Sequence, residues 1–171
     1  MRIGAPQELF NKPVNLFVAG FIGMPVMNFF YNSRLLLEGD KYYAEIKGVK
    51  FELSEFQQKA LAANGQKPCE IVAGIRPNYI SVGEGELKAR IEVNEMMGAE
   101  VHLHADCGGD EVVMVIQTVD LKTDVSQGAE IKFSTKPELI QLFDKETTNN
   151  LIWYDEVSSK ANAPVSKSYN F

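Results

Sequence analysis

"LKARIEVNEMMGAEVHLHADCGGDEVVMVIQTV", residues 87–119, decides the fold class. Leu87, Ala89, Ile91 and Val93 fall on one side of an extended chain, and Lys88, Arg90, Glu92 and Asn94 on the other. This period of two marks a half-buried strand. Gly98 breaks the pattern, after which Val101, Leu103 and Ala105 point in while Glu100, His102 and His104 point out. Gly108-Gly109-Asp110 supplies the residues of a tight hairpin and leads into the apolar run Val112 to Val119. Three successive strands on short turns predict an antiparallel sheet.

The same grammar continues on both sides. Downstream, Ile131 and Phe133 form a short strand, residues 136–143 are mixed, and Leu151 to Tyr154 is read as a last strand. Upstream, strand-like runs cover Phe29 to Leu37, Tyr42 to Ile46, Val49 to Leu53, Glu70 to Ile75 and Tyr79 to Val82, separated by Gly, Asp and Asn turns. Ser54 is placed to cap a helix over Glu55 to Ala63, ended by Asn64-Gly65. Near the N-terminus, Pro6 to Asn11 reads as a short helix stopped by Pro13, and Asn15 can cap a second one running to Gly20 or Gly23. The expected fold is mainly β: an OB-like antiparallel barrel with a small additional sheet, preceded by two short helices. The expected divisions are residues 1–23 as a helical segment, 24–154 as the barrel domain and 155–171 as a polar tail.

A chain of 171 residues suits one such domain with a short appendage. The formal net charge of -6 argues against nonspecific nucleic-acid binding, which needs a basic surface. The two cysteines, Cys69 and Cys107, form neither a disulfide framework nor a metal-ligand spacing and are expected to be reduced. No run approaches the ~20 apolar residues of a membrane span, and Arg2 is followed by no apolar leader, so a cytoplasmic chain is expected.

Catalytic signatures are sparse. A phosphate-binding P-loop needs Gly-Lys before Ser or Thr, and none of the thirteen glycines precedes a lysine. Neither a nucleophile elbow nor His-Glu-x-x-His is present. Glu100, His102 and His104 share one strand face, which is either a solvated surface, a contact surface or a three-ligand metal site. Phe29, Phe30, Tyr31, Tyr42 and Tyr43 are either core or a stacking platform. Glu84 and Glu86, on either side of Gly85, read as a solvated turn. Arg76-Pro77 ends an apolar strand, where a guanidinium can bind turn carbonyls or anchor a partner.

Several ordered segments carry a resemblance. Phe17-Val18-Ala19-Gly20-Phe21-Ile22-Gly23, Pro25 and Met27-Asn28-Phe29 are followed by Gly74-Ile75-Arg76-Pro77. Then come Val93-Asn94-Glu95-Met96-Met97-Gly98-Ala99-Glu100, of the pattern V-x-E-x-x-G-x-E, and Leu142-Phe143-Asp144-Lys145-Glu146-Thr147. In order and spacing these resemble the ATP-binding subunits of carbohydrate ABC importers of the maltose and glycerol-3-phosphate type, from the end of the ATPase domain through the C-terminal regulatory (TOBE/OB-type) domain. The chain departs from that pattern at Asn78, where Glu is usual, at Thr148, where Gly is common, and at Ala5, where Ser or Thr often caps the helix.

The resemblance implies a regulatory and dimerising domain, without catalytic or cofactor-binding residues of its own. ATP and Mg would sit in an ATPase domain outside this sequence. The partners it implies are a second copy of the subunit, the membrane subunits reached through the ATPase domain, and a regulatory protein, with no nucleic acid. Its expected place is the cytoplasmic face of the membrane. Phe17, Phe21, Arg76, Glu100, His102 and His104 are the candidate interface residues, and the apolar helix Val14 to Phe21 is read as the tail of the ATPase domain. The alternative is an OB-type sensor of an oxyanion or sugar.

Overall fold

The computed structural model describes residues 12–23 and 25–152. The helix expected over Pro6 to Asn11 and the tail after 154 lie outside them. The second expected helix is present as α1, Leu16–Phe21, and the Asn15 side chain accepts a hydrogen bond from the Val18 N–H at 2.9 Å. That bond satisfies one of the donors that a helix start leaves unpaired.

Nine strands follow among the described residues: β1 Asn28–Glu38, β2 Lys41–Ile46, β3 Val49–Glu52, β4 Cys69–Ile75, β5 Ile80–Met97, β6 Glu100–Cys107, β7 Asp110–Gln117, β8 Glu130–Thr135 and β9 Gln141–Asp144. Helix α2, Glu55–Ala63, lies between β3 and β4. Ser54 caps it as expected. Its Oγ accepts from the Gln57 N–H, while Gln57 Oε1 accepts from the Ser54 N–H, the reciprocal pair of a capping box.

The strands form two antiparallel sheets, in the orders β3-β2-β1-β4-β9 and β7-β6-β5-β8. Both contribute to one continuous core, with Phe30, Leu35, Ile71 and Ile75 from the first and Leu87, Ile91, Leu103, Met114 and Phe133 from the second. The architecture is mainly β and OB-like, with the additional sheet the alternation predicted. Helix α1 covers the opposite face of the first sheet: Ala19 packs with Met27, Val72 and Phe143, joined by Leu16 and Phe29.

Three local expectations are corrected. Tyr79 to Val82 and Leu87 to Asn94 are not separate strands. They are two halves of the 18-residue β5, interrupted by an irregularity between Val82 and Leu87. Gly83 and Gly85 occupy it with φ of 107° and 106°, so the glycines bend a strand instead of ending it. Val93 does not face the core; it is 49% exposed. A register shift between Ile91 and Val93 adds one residue, and an inserted residue turns every following side chain to the other face. Finally, Leu151 and Ile152 are helical, not extended.

The junction between the sheets depends on Asn28. This buried residue uses its side chain as a stand-in for a neighbouring strand: Nδ2 donates to the Val113 carbonyl at 2.8 Å and Oδ1 accepts from the Val113 N–H at 2.9 Å. The first residue of β1 therefore holds the outer edge of β7. At another corner, Lys47 Nζ lies 2.5 Å from Asp110 Oδ2 and ties the β2–β3 turn to the β6–β7 hairpin.

Candidate functional site

β4 ends at Ile75, and Arg76 then leaves the sheet with its guanidinium turned inward. Arg76 is 3% exposed and donates to the Ile22 carbonyl in the segment linking α1 to β1. Burial pulls its pKa below the usual guanidinium value, yet a guanidinium stays charged under all ordinary conditions. Arg76 thus fastens the α1–β1 link to the end of β4, while Gly74, two residues earlier on β4, makes room for the same link. A Cβ at Gly74 would run into the Met27 sulfur and crowd Phe143.

A cleft of about 230 Å³ opens between that link and the second sheet, lined by Gly23, Pro25, Arg76, Asn78, Glu100, His102 and Val115. Three of the six residues expected at an interface therefore meet here. Glu100, His102 and His104 alternate with buried neighbours along β6, so they share its outer face. His102 Nε2 lies 3.0 Å from Glu100 Oε1. His104 turns away from the cleft and spans its two neighbouring strands, with Nε2 2.7 Å from Glu95 Oε1 on β5 and Nδ1 3.5 Å from Glu111 Oε1 on β7. The row Glu100, His102, His104 is therefore committed to separate carboxylate contacts. Among the described residues, no group of three or more His, Cys, Asp or Glu is placed to hold a metal ion.

Phe17 and Phe21 are on α1, outside the lining of this cleft. They are 65% and 71% exposed, and their rings meet at a tilt of 55° with 4.8 Å between centroids. Two adjacent exposed aromatics on the side of a helix turned from its sheet form an apolar patch.

The aromatic set does not make one platform. Phe30 and Tyr42 are in the core, Phe29 and Tyr43 are half-buried, and Tyr31 is exposed. Glu84 and Glu86 are exposed at the β5 irregularity. Both cysteines are free thiols, and burial pushes the pKa of each upward.

Beside the cleft, sharing Asn78 and Val115 with it, lies a second cavity of about 480 Å³ between β7 and the first residues of β5. Reading from sequence missed Asn28, Ser81, Val115 and Gln117, which shape this region. For Asn28 there was a signal: it falls on the inward side of β1 with Phe30, and a polar residue there needs a specific partner.

Residues 73–143 match the family model of the TOBE domain, from late in β4 almost to the end of β9. Over 85% of its length the chain is similar to ABC transporter ATP-binding proteins. It is 32% identical over 153 residues to the uncharacterized ABC transporter ATP-binding protein YurJ of Bacillus subtilis (strain 168), covering 41% of that protein. It is 34% identical over 154 residues to the osmoprotective compounds uptake ATP-binding protein GgtA of Synechocystis sp. (strain ATCC 27184 / PCC 6803 / Kazusa), covering 40% of it. The chain therefore spans about two fifths of the length of the curated relatives it matches. These matches support a C-terminal domain of an ABC ATP-binding subunit. Among solved structures, the molybdate-bound form of the cytoplasmic molybdate-binding protein ModG is similar with a TM-score of 0.47 and 15% identity, covering 68% of this chain and 93% of that one.

Proposed function

We propose that this chain is the regulatory and dimerisation domain of the ATP-binding subunit of an ABC importer for sugars or glycerol phosphate, and that it is not catalytic. The observation that carries the reading is the similarity to ABC transporter ATP-binding proteins over 85% of the chain, at two fifths of their length. The restriction to carbohydrate importers rests on the ordered motifs from Phe17 to Thr147. The exposed Phe17–Phe21 pair supports the reading further, since it offers the face on which an ATPase domain would pack. Nucleotide and Mg belong to that domain. A β-domain held by one core supplies a constant contact between two subunits while their ATP sites open and close. The cleft at Arg76, Glu100 and His102 is the surface proposed for a second copy or a regulatory protein, on the cytoplasmic face of the membrane.

The test uses the chain with ATP and Mg. No hydrolysis and no shift in melting temperature are expected, whereas saturable stabilisation by ATP would overturn the reading. Sedimentation across micromolar concentrations should show a monomer–dimer equilibrium, weakened by Glu100→Arg.

A further inference from the structure

Helix α1 and the link behind it are held differently from the rest of the molecule. Six residues are too few for a helix to stand alone in water, so α1 depends on what it packs against. It packs in a cluster of its own. Ala19 and Met27 meet Val72 and Phe143 on the face of the first sheet turned away from the main core. Opening that cluster leaves the packing between the two sheets intact. Both ends of the segment are tethered by buried asparagines. At the near end, Asn150 Nδ2 donates to the Pro13 carbonyl at 2.8 Å and the Asn150 N–H donates to the Val14 carbonyl at 3.0 Å. At the far end, Asn28 holds Val113. Between the tethers, the Leu16 N–H donates to the Thr148 carbonyl and Arg76 donates to the Ile22 carbonyl. Gly23 follows at once, with a φ of 98°. Gly23 and Pro25 form one wall of the 230 Å³ cleft, and Glu100, His102 and Val115 form the wall that faces them.

We propose that α1 and its link form a strap that opens from the first sheet as one unit, with Arg76 as its latch, so that the cleft and the Phe17–Phe21 patch are two ends of one device. Arg76 suits a latch because it stands on the fixed side, at the end of β4, while its hydrogen bond reaches the strap. Releasing Ile22 lets Gly23 and Pro25 move off the facing wall of the cleft. It also frees α1, because the same short link carries both. The coupling runs in both directions. A partner gripping both walls of the cleft holds α1 down, and a partner drawing Phe17 and Phe21 outward widens the cleft. Lifting α1 bares Val72 and Phe143, which the closed strap keeps buried. The inference stands on the separate cluster and the latch, whether or not the cleft is a subunit interface.

The experiment follows amide exchange by nuclear magnetic resonance in the full chain. The amides of Leu16 and Ala19 should exchange about tenfold or more faster than that of Leu103 in the second sheet, since the strap opens without global unfolding. Met27→Ala trims the cluster from the strap side and leaves Arg76 and the cleft lining in place. It should speed Leu16 and Ala19 together by about tenfold or more, with Leu103 and Val113 unchanged. It should also shift the ring signals of His102, inside the cleft, and not those of His104, outside it. A Met27 that served packing alone would leave His102 unmoved. Arg76→Met removes the latch without burying a new polar group, and it should release the same two amides. Equal acceleration of Leu103, separate responses of Leu16 and Ala19, or an unmoved His102 in Met27→Ala would each overturn the proposal. A folded Arg76→Met that keeps Leu16 and Ala19 protected would overturn it too. Should Arg76→Met fail to fold, Met27→Ala decides the question alone.

Discussion

Thr148 holds a φ of 65°, in the left-handed region, although it is β-branched. Its N–H donates to the Asp144 carbonyl and its carbonyl accepts from the Leu16 N–H, so the turn after β9 also positions α1. A β-branched residue there costs about 1 kcal/mol or more, and glycine adopts the same conformation freely. Thr148→Gly is therefore expected to raise stability by about 1 kcal/mol in urea unfolding; a loss would show that the threonine side chain has an unrecognised partner. This position is also one where the resembling family commonly has Gly, so the local departure and the backbone strain are the same fact. The cysteines allow a second test at this scale. Cys107 is buried and Cys69 half-buried, and burial raises both thiols above their ordinary value. Iodoacetamide should label Cys69 before Cys107, and both more slowly than free cysteine, because the thiolate is the reacting form. The unfolded chain releases these protons first as pH rises, so stability falls above the ordinary thiol range.

Helix α2 shows how an element can be set locally and used globally. Ser54 and Gln57 close its first turn, and Gln57 Nε2 also donates to the Pro137 carbonyl at 3.0 Å and the Ile140 carbonyl at 3.3 Å. The cap thus holds the segment entering β9. Ser54→Ala removes one cap bond and should cost about 1 kcal/mol in chemical denaturation. Gln57→Ala leaves the two carbonyls without this donor as well and should cost more, about 2 kcal/mol. Equal effects would mean the contact with Pro137 and Ile140 contributes nothing. The β5 irregularity makes the complementary point. A Cβ at Gly85 would meet Phe133 and Ser134, so the strand can keep β8 beside it only with glycine there.

For the whole molecule, the decisive contact is between sheets. Asn28 joins β1 to β7 across 85 residues of sequence, through two hydrogen bonds to one backbone unit. Asn28→Ala is expected to lower stability by about 2 kcal/mol and the melting temperature by roughly 4–8 °C. The exchange of the Val113 amide should rise more than that of Leu103, in the middle of the second sheet. A uniform loss of protection would show instead that Asn28 stabilises the molecule without securing that edge.

Strands with clean alternation were legible in the sequence. β6 places Val101, Leu103 and Ala105 inside as its pattern requires, and α2 begins where Ser54 and Gln57 say it should. These are local effects: side-chain period, capping and turn chemistry act within a few residues. The inserted residue after Ile91, which turns Val93 outward, left no local trace, because a register shift exists only relative to β6. The partners of His104 were likewise invisible, since Glu95 and Glu111 reach it from different strands. Arg76 was recognisable as unusual, but its carbonyl partner lies 54 positions away. Pattern along the chain set which faces are buried, whereas the meeting of Arg76 with His102 and the cavity beside β7 arose from long-range pairing, where distant segments compete for the same hydrogen bonds and the same core.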